Sequence, residues 1–289
     1  MGYASAETGT EVGAQGIMDE CPGDAKGVGP LADALMHPDP VVRRKSAEAL
    51  ARLGGQAKGA VEALGRSLRY DPAPEVRAAV LAALGKMGLA AEPAAAGLGV
   101  ALRDPVPELR QGAAEVLSRL GAGARAAVAD LGGALSDPDF AIAAFAAAAL
   151  GKIGPEARAA APALVVALGH ANVVVRGKSA QALGAMLPEG HQPVTALTAM
   201  LHDTHGIVRA NAAEALGMFG ARASEAVPLL VEAMKDENVV VRGRVIQALG
   251  RIGPKAAAKA VWPLKEAAQD PNEFVRKCVE EALKLLGAE

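Results

Sequence analysis

Asn172–Gly184 reads NVVVRGKSAQALG and Asn238–Gly250 reads NVVVRGRVIQALG, so nearly the same thirteen residues occur twice, 66 positions apart. Arg176 and Arg242 bracket Arg209, in GIVRANAAEALG, which lies 33 residues from each, and the period is therefore 33. Backward steps land on Ala143, Arg110 and Arg77 and, with one extra residue, on Arg43. A forward step with one extra residue lands on Arg276. Arg fills seven of these eight register positions. A leucine follows seven residues after every one of them: Leu50, Leu84, Leu117, Leu150, Leu183, Leu216, Leu249 and Leu283. Glycine follows at eleven, except at Leu187.

Each unit has the grammar of two helices. Four residues before the register position stand Asp39, Asp139, Asn172, Asn238 and Asn272, residue types that cap a helix by accepting a backbone N–H. Pro40, Pro74 and Pro107 come next, where a missing N–H costs nothing and the fixed φ suits a first turn. This predicts a helix B whose buried side includes Val175, Ser179, Ala182, Leu183 and Met186, stopped by the glycine. Helix A is expected in segments such as 157–168 and 223–234, with Leu164, Leu168, Leu230 and Met234 inward; Pro162 and Pro228 either open it or kink it. One such pair cannot bury its apolar side alone, so the pairs must stack into a quasi-linear array. Glu280, where inner units place Leu81, Ala114, Ala147, Ala180, Ala213 or Ile246, suits a last helix with nothing beyond it.

The pattern Asp-Pro-x-x-x-Val-Arg-x-x-Ala-Ala-x-Ala-Leu-Gly-x-Ile-Gly, matched by DENVVVRGRVIQALGRIG at 236–253, resembles the short HEAT repeats named after phycobilisome bilin lyases. The fold this implies is all-α, a right-handed α-solenoid of the armadillo/HEAT type with about eight 33-residue helical hairpins. The hairpins span residues 25–289, after a tail at 1–24 expected to be disordered.

Composition narrows function. The chain has 289 residues, 51% apolar but only 2% aromatic, and a formal charge of −2. No overall basic field exists to hold nucleic acid or an anionic membrane, and stacking platforms for single strands are scarce. The longest apolar run, FAIAAFAAAALG at 140–151, is too short to span a bilayer, and the start does not resemble a secretory signal. Cys21 and Cys278 form neither a disulfide framework nor a metal set, which fits a reducing cytoplasm. Gly2 opens only a partial myristoylation pattern.

The arginine column Arg43, Arg77, Arg110, Arg176, Arg209, Arg242 and Arg276 has a carboxylate column six residues upstream in Asp71, Asp104, Asp137, Asp203, Asp236 and Asp270. His37 and His170 fill the other two places. By the resemblance, Asp and Arg bond between adjacent repeats as a structural ladder; a phosphate-binding stripe is the rival reading. Positions two, five and nine after the register residue are expected to face outward from helix B, on what the resemblance makes the concave side. The ninth column, with Arg52, Lys86, Arg119, Lys152 and Arg251, is rich in cations. With Lys45, Lys178, Arg244 and Phe145 these residues form the candidate contact surface for a protein or an acidic peptide segment. Much of this row could equally be solvated helix surface, since Glu48/Arg52 and Glu115/Arg119 are i,i+4 pairs. Phe140, Ile142 and Phe145 around Ala143 are either core or a contact patch.

A reactive constellation is hard to find. His202 and His205 with Asp203 in LHDTHG could touch a metal, but they fall in a turn. The HEAT-like deoxyhypusine hydroxylases use His-Glu pairs, and no His-Glu dipeptide occurs here. A bilin lyase-like activity follows from the resemblance only as an alternative, and nucleic-acid binding is disfavoured. The expectation is a cytoplasmic, monomeric, non-catalytic scaffold without cofactor, bending at LPEGHQP (187–193).

Overall fold

The computed structural model describes residues 27–288. Among these the architecture is helical throughout, an α-solenoid of repeated hairpins without a strand. The eight B helices are Pro40–Leu53, Pro74–Met87, Pro107–Leu120, Phe140–Ile153, Val173–Met186, Gly206–Phe219, Val239–Ile252 and Glu273–Leu286, every one of 14 residues. The side chains of Asp39, Asp139, Asn172, Asn238 and Asn272 each accept the backbone N–H two residues on, so all five anticipated caps form.

The chain divides into two compact units, Met1–Ala134 and Leu135–Glu289. In the first, the hairpins that carry helices Pro40–Leu53, Pro74–Met87 and Pro107–Leu120 stack in order, followed by helix Val128–Ala134. In the second, B helices from Phe140–Ile153 to Glu273–Leu286 pack each on the next. The leucine column is the spine of both units: seven of its eight members are wholly buried, and Leu283, in the last helix, is only half-buried. Glu280 is exposed at the position where Ile246 is buried.

Helix A is shorter than the sequence suggests. Instead of running through 157–168 and 223–234, the segments split into 3-10 stretches, Gly154–Ala160 and Gly220–Ala226, and short α-helices, Ala161–Ala167 and Val227–Ala233. Pro162 and Pro228 sit in the first two positions of those α-helices and therefore open them. The same 3-10 stretch recurs as Gly54–Ala60, Gly88–Ala94 and Gly121–Ala127. The alanine pairs three apart, Ala57/Ala60, Ala91/Ala94, Ala124/Ala127, Ala157/Ala160 and Ala223/Ala226, are all buried, and Ala57 and Ala223 leave helical geometry inside their stretches, at φ −87° and −92° with ψ 18° and 19°.

These breaks also bear on membrane spans. Read as single helices, Pro74–Ala101 and Phe140–Ala167 have the length and apolar character of a span. Each is interrupted by a positive-φ glycine, Gly88 at 59° and Gly154 at 71°, and about half of each window is buried inside the fold.

The connection 187–193 lies inside the second unit rather than at the division between units. Leu187 takes the glycine's place with φ 47° and ψ 54°, the left-handed region, and its N–H closes on Leu183 O. Arg158 donates to Met186 O at 3.3 Å and Arg222 to Pro188 O at 3.2 Å. The segment expected to bend is thus held at Pro188 by Arg222, and the helix end that precedes it is held at Met186 by Arg158.

Candidate functional site: the exposed edge of the B helices

The arginine column is a ladder in which Arg43, Arg77, Arg176, Arg209 and Arg242 each grip a carboxylate. In the first unit Arg43 grips Asp71 through Nε and Nη2 at 2.6 and 2.9 Å, and Arg77 grips Asp104 at 2.7 and 3.1 Å. In the second, Arg176 pairs with Asp203, Arg209 with Asp236 and Arg242 with Asp270 in the same bidentate geometry. The remaining Nη1 of each arginine donates to the carbonyl six residues upstream, tying down the turn between helices A and B of its own hairpin. Arg110 makes this turn bond to Asp104 O, and Arg276 makes it to Asp270 O. The carboxylates are equally committed: each accepts the N–H two residues on, Asp137 from Asp139 and Asp270 from Asn272. At side-chain exposures of 11–15% for the five paired arginines, a phosphate stripe is not available here.

Charge pairing biases these carboxyls toward the ionised form. Burial pushes Asp203 and Asp236 upward, but the guanidinium groups of Arg176 and Arg209, with backbone N–H donors, outweigh it and hold both below the usual range. Asp270 is lowered chiefly by the bond from Arg242. Asp203 is therefore a ladder carboxylate, not a metal ligand in waiting; His205 Nδ1 lies 3.6 Å from it and 2.9 Å from Thr204 Oγ1. Among the described residues no cluster of His, Cys, Asp and Glu is arranged to hold a metal.

The outward columns are graded rather than uniform. Position two varies: Asn211 and Cys278 are buried between B helices, Lys45, Arg244 and Phe145 are half-buried, and Lys178 is exposed. Burial pushes the Cys278 thiol up, with Glu281 adding to the shift. Position nine, in contrast, is exposed in all eight repeats. Ile142 is core, Phe140 is half exposed, and the aromatic cluster is therefore split between interior and surface.

Two kinds of cation can now be separated. In the second unit, Lys178 bonds Gln181, which reaches Asn211, and Arg244 lies 3.5 Å from Glu214 and 3.3 Å from Gln247. Arg244 is thereby engaged within a part-buried polar network, whereas Lys178 remains exposed. In the first unit, Arg52, Lys86 and Arg119 stand exposed in the last turn of three successive B helices. Arg119 pairs with Glu115 at 3.7 Å and donates to Gly85 O of the preceding helix. Glu48 turns to Arg44 rather than to Arg52, against the expected pairing. Arg52 and Lys86 form no ion pair among the described residues. A cation in the last turn is favoured by the helix dipole alone. Successive stacking, at about 8–10 Å per helix, turns three such cations into a row. Lys152 and Arg251 are exposed at the same position of their own helices in the second unit.

Stacked hairpins joined by Arg–Asp rungs define the class as a helical-repeat solenoid protein. The model for HEAT repeats matches residues 28–118, 95–184, 128–217 and 194–284, and the chain belongs to that family. No curated protein matches it. Among solved structures, YibA of Escherichia coli is similar at 19% identity and a TM-score of 0.58, with 100% of this chain and 99% of that one covered. An engineered protein is similar at 21% identity and a TM-score of 0.53, over 99% and 97%. The karyopherin Kap121p, crystallised with the extreme C-terminus of the protein phosphatase Cdc14p, is similar at 16% identity and a TM-score of 0.57. That match covers 90% of this chain and 33% of the karyopherin.

Proposed function

We propose that this chain is a non-catalytic, cytoplasmic protein-binding scaffold whose first unit takes an acidic segment of a partner along Arg52, Lys86 and Arg119. The observation that carries this reading is the contrast in charge use. The paired ladder arginines and Arg244 are committed internally, whereas Arg52 and Lys86, like Arg251 of the second unit, are exposed without an ion pair among the described residues. Cations about 10 Å apart suit an extended chain, which advances about 3.3 Å per residue, with a carboxylate at every third position. The likeness to a karyopherin solved with a peptide-like segment agrees with such a use, at the level of fold. The finer resemblance to bilin-lyase repeats rests on the repeat signature alone, and nothing in the arrangement of side chains adds to it.

The test is fluorescence polarisation with a labelled deca-glutamate peptide at low salt, against the chain and its Arg52→Glu/Lys86→Glu/Arg119→Glu variant. Binding that is lost in the variant while the melting temperature holds supports the reading. Equal affinity for both sinks it. A labelled duplex DNA run in parallel that binds more tightly than the peptide would shift the site to nucleic acid.

A further inference from the structure

The cationic edge has a candidate occupant within the same chain. Residues 1–26 carry five carboxylates, Glu7, Glu11, Asp19, Glu20 and Asp24, against the single ammonium of Lys26. That segment contributes −4 to a whole-chain charge of −2, so the remainder carries +2. The helix Val28–Ala34 begins beside the 3-10 stretch Gly54–Ala60: a Cβ built on Gly59 would lie 3.6 Å from Val28 Cγ1. Gly54 directly follows the helix whose last turn holds Arg52. The first described helix thus begins against the 3-10 stretch that follows the helix bearing Arg52 and that carries exposed Lys58.

We propose that the acidic segment 1–26 docks intramolecularly on the cationic edge formed by Lys58, Arg52, Lys86 and Arg119, occupying the surface that an acidic partner would use. This rests on the reading given under Proposed function and adds its regulation. Reach is ample, because 26 residues extend to about 85 Å, while two repeat spacings cover about 20 Å. Tethering supplies an effective concentration on the order of millimolar, so even weak charge pairing populates the docked form, and a partner must displace it.

The experiment is zero-length carbodiimide cross-linking of the full chain, read by mass spectrometry. It is paired with deca-glutamate binding to the full chain carrying Glu7→Gln, Glu11→Gln, Asp19→Asn, Glu20→Gln and Asp24→Asn. Expected are cross-links from Asp19, Glu20 or Asp24 to Lys58 or Lys86, unchanged on dilution and lost near 1 M salt, where screening acts within about 3 Å. The neutralised chain should bind the peptide about tenfold more tightly, as expected when a tethered competitor is removed. Cross-links that fall equally on Lys235, Lys255 and Lys265, or that vanish on dilution, overturn the proposal, as does measurable peptide binding of equal affinity in the two chains. Should the peptide bind neither chain while the cross-links to Lys86 appear, the partner reading fails and the docking stands. Peptide binding on the row without those cross-links is the reverse.

Discussion

His170 stands 27 positions after Ala143, the spacing that joins Arg176 to Asp203 and Arg209 to Asp236, so one rung of the ladder lacks both of its charges. Where the arginine is gone the carboxylate is gone as well. His37, in the first hairpin, has no preceding arginine to answer either. Both histidines keep the part of the aspartate's work that concerns their own hairpin, since His37 Nδ1 accepts from Asp39 N at 3.1 Å and His170 Nδ1 from Asn172 N at 2.9 Å. An aspartate at this place has two duties, and the histidines show that only one is local.

The rungs should accordingly be unequal under mutation. Asp203→Asn leaves Arg176 half-answered at a side-chain exposure of 12%, and should cost about 3 kcal/mol, the low end for breaking a buried pair. His170→Asn replaces one acceptor of the turn N–H by another and should cost less than about 1 kcal/mol. Urea unfolding followed by helical circular dichroism measures both. Equal losses would mean that the rung is not what stabilises the stack.

Acid should attack the second unit through the same rungs. Asp203, Asp236 and Asp270 are held below the ordinary carboxyl range, Asp270 first by its bond from Arg242, the others by arginines that overcome burial. A depressed folded value means that stability is present above the unfolded pKa, near 3.9, and is lost as pH falls through the folded value. Melting temperature should hold from pH 7 to about 5 and then drop, with a shallower drop in Asp236→Asn, which has one carboxyl fewer to protonate. A pH-independent profile down to about 3 contradicts this account.

Much of this architecture is legible in the residues because each signal has one dominant cause. The caps Asp39, Asn172 and Asn238 and the leucines from Leu50 to Leu249 are dictated by local hydrogen bonding and by burial, which period and residue type express directly. The 3-10 stretches escape a search for 3.6-residue periodicity, although Ala57/Ala60 and Ala157/Ala160 spell their three-residue period plainly. The outward face is harder. Asn211, Arg244 and Lys178 share the position-two column, yet the first is buried, the second is half-buried and engaged with Glu214, and the third is exposed. Which cations are spent is a property of pairs of repeats, not of a column.

The residues that end the B helices allow a backbone test. Gly220 has φ 57° and ψ −137°, a region closed to side chains, whereas Leu187, at φ 47° and ψ 54°, occupies the left-handed region that other residues tolerate at a cost. Gly220→Ala should lose about 1–3 kcal/mol. Leu187→Gly trades relief of strain against unfolded-chain entropy and should change stability by less than about 1 kcal/mol. Thermal melts of the two variants should therefore separate clearly, and a tolerated Gly220→Ala would show that the hairpin can exit its helix another way.

Close approach between B helices makes the opposite demand on glycines within them. A Cβ on Gly184 would lie 2.8 Å from Ala215 Cα, and one on Gly217 would lie 2.9 Å from Ala248 Cα, backbone atoms that cannot swing aside. Gly133, in the helix Val128–Ala134, would meet nothing within 4 Å. The same change to alanine gains about 1 kcal/mol of helix propensity at each site, so geometry alone decides the sign. Gly133→Ala should stabilise by up to that amount. Gly184→Ala and Gly217→Ala force neighbouring helices apart and should lose about 1–3 kcal/mol. Urea midpoints of the three variants check this, and stabilisation at all three would mean that the helices have room to part and that small residues are not what sets their spacing.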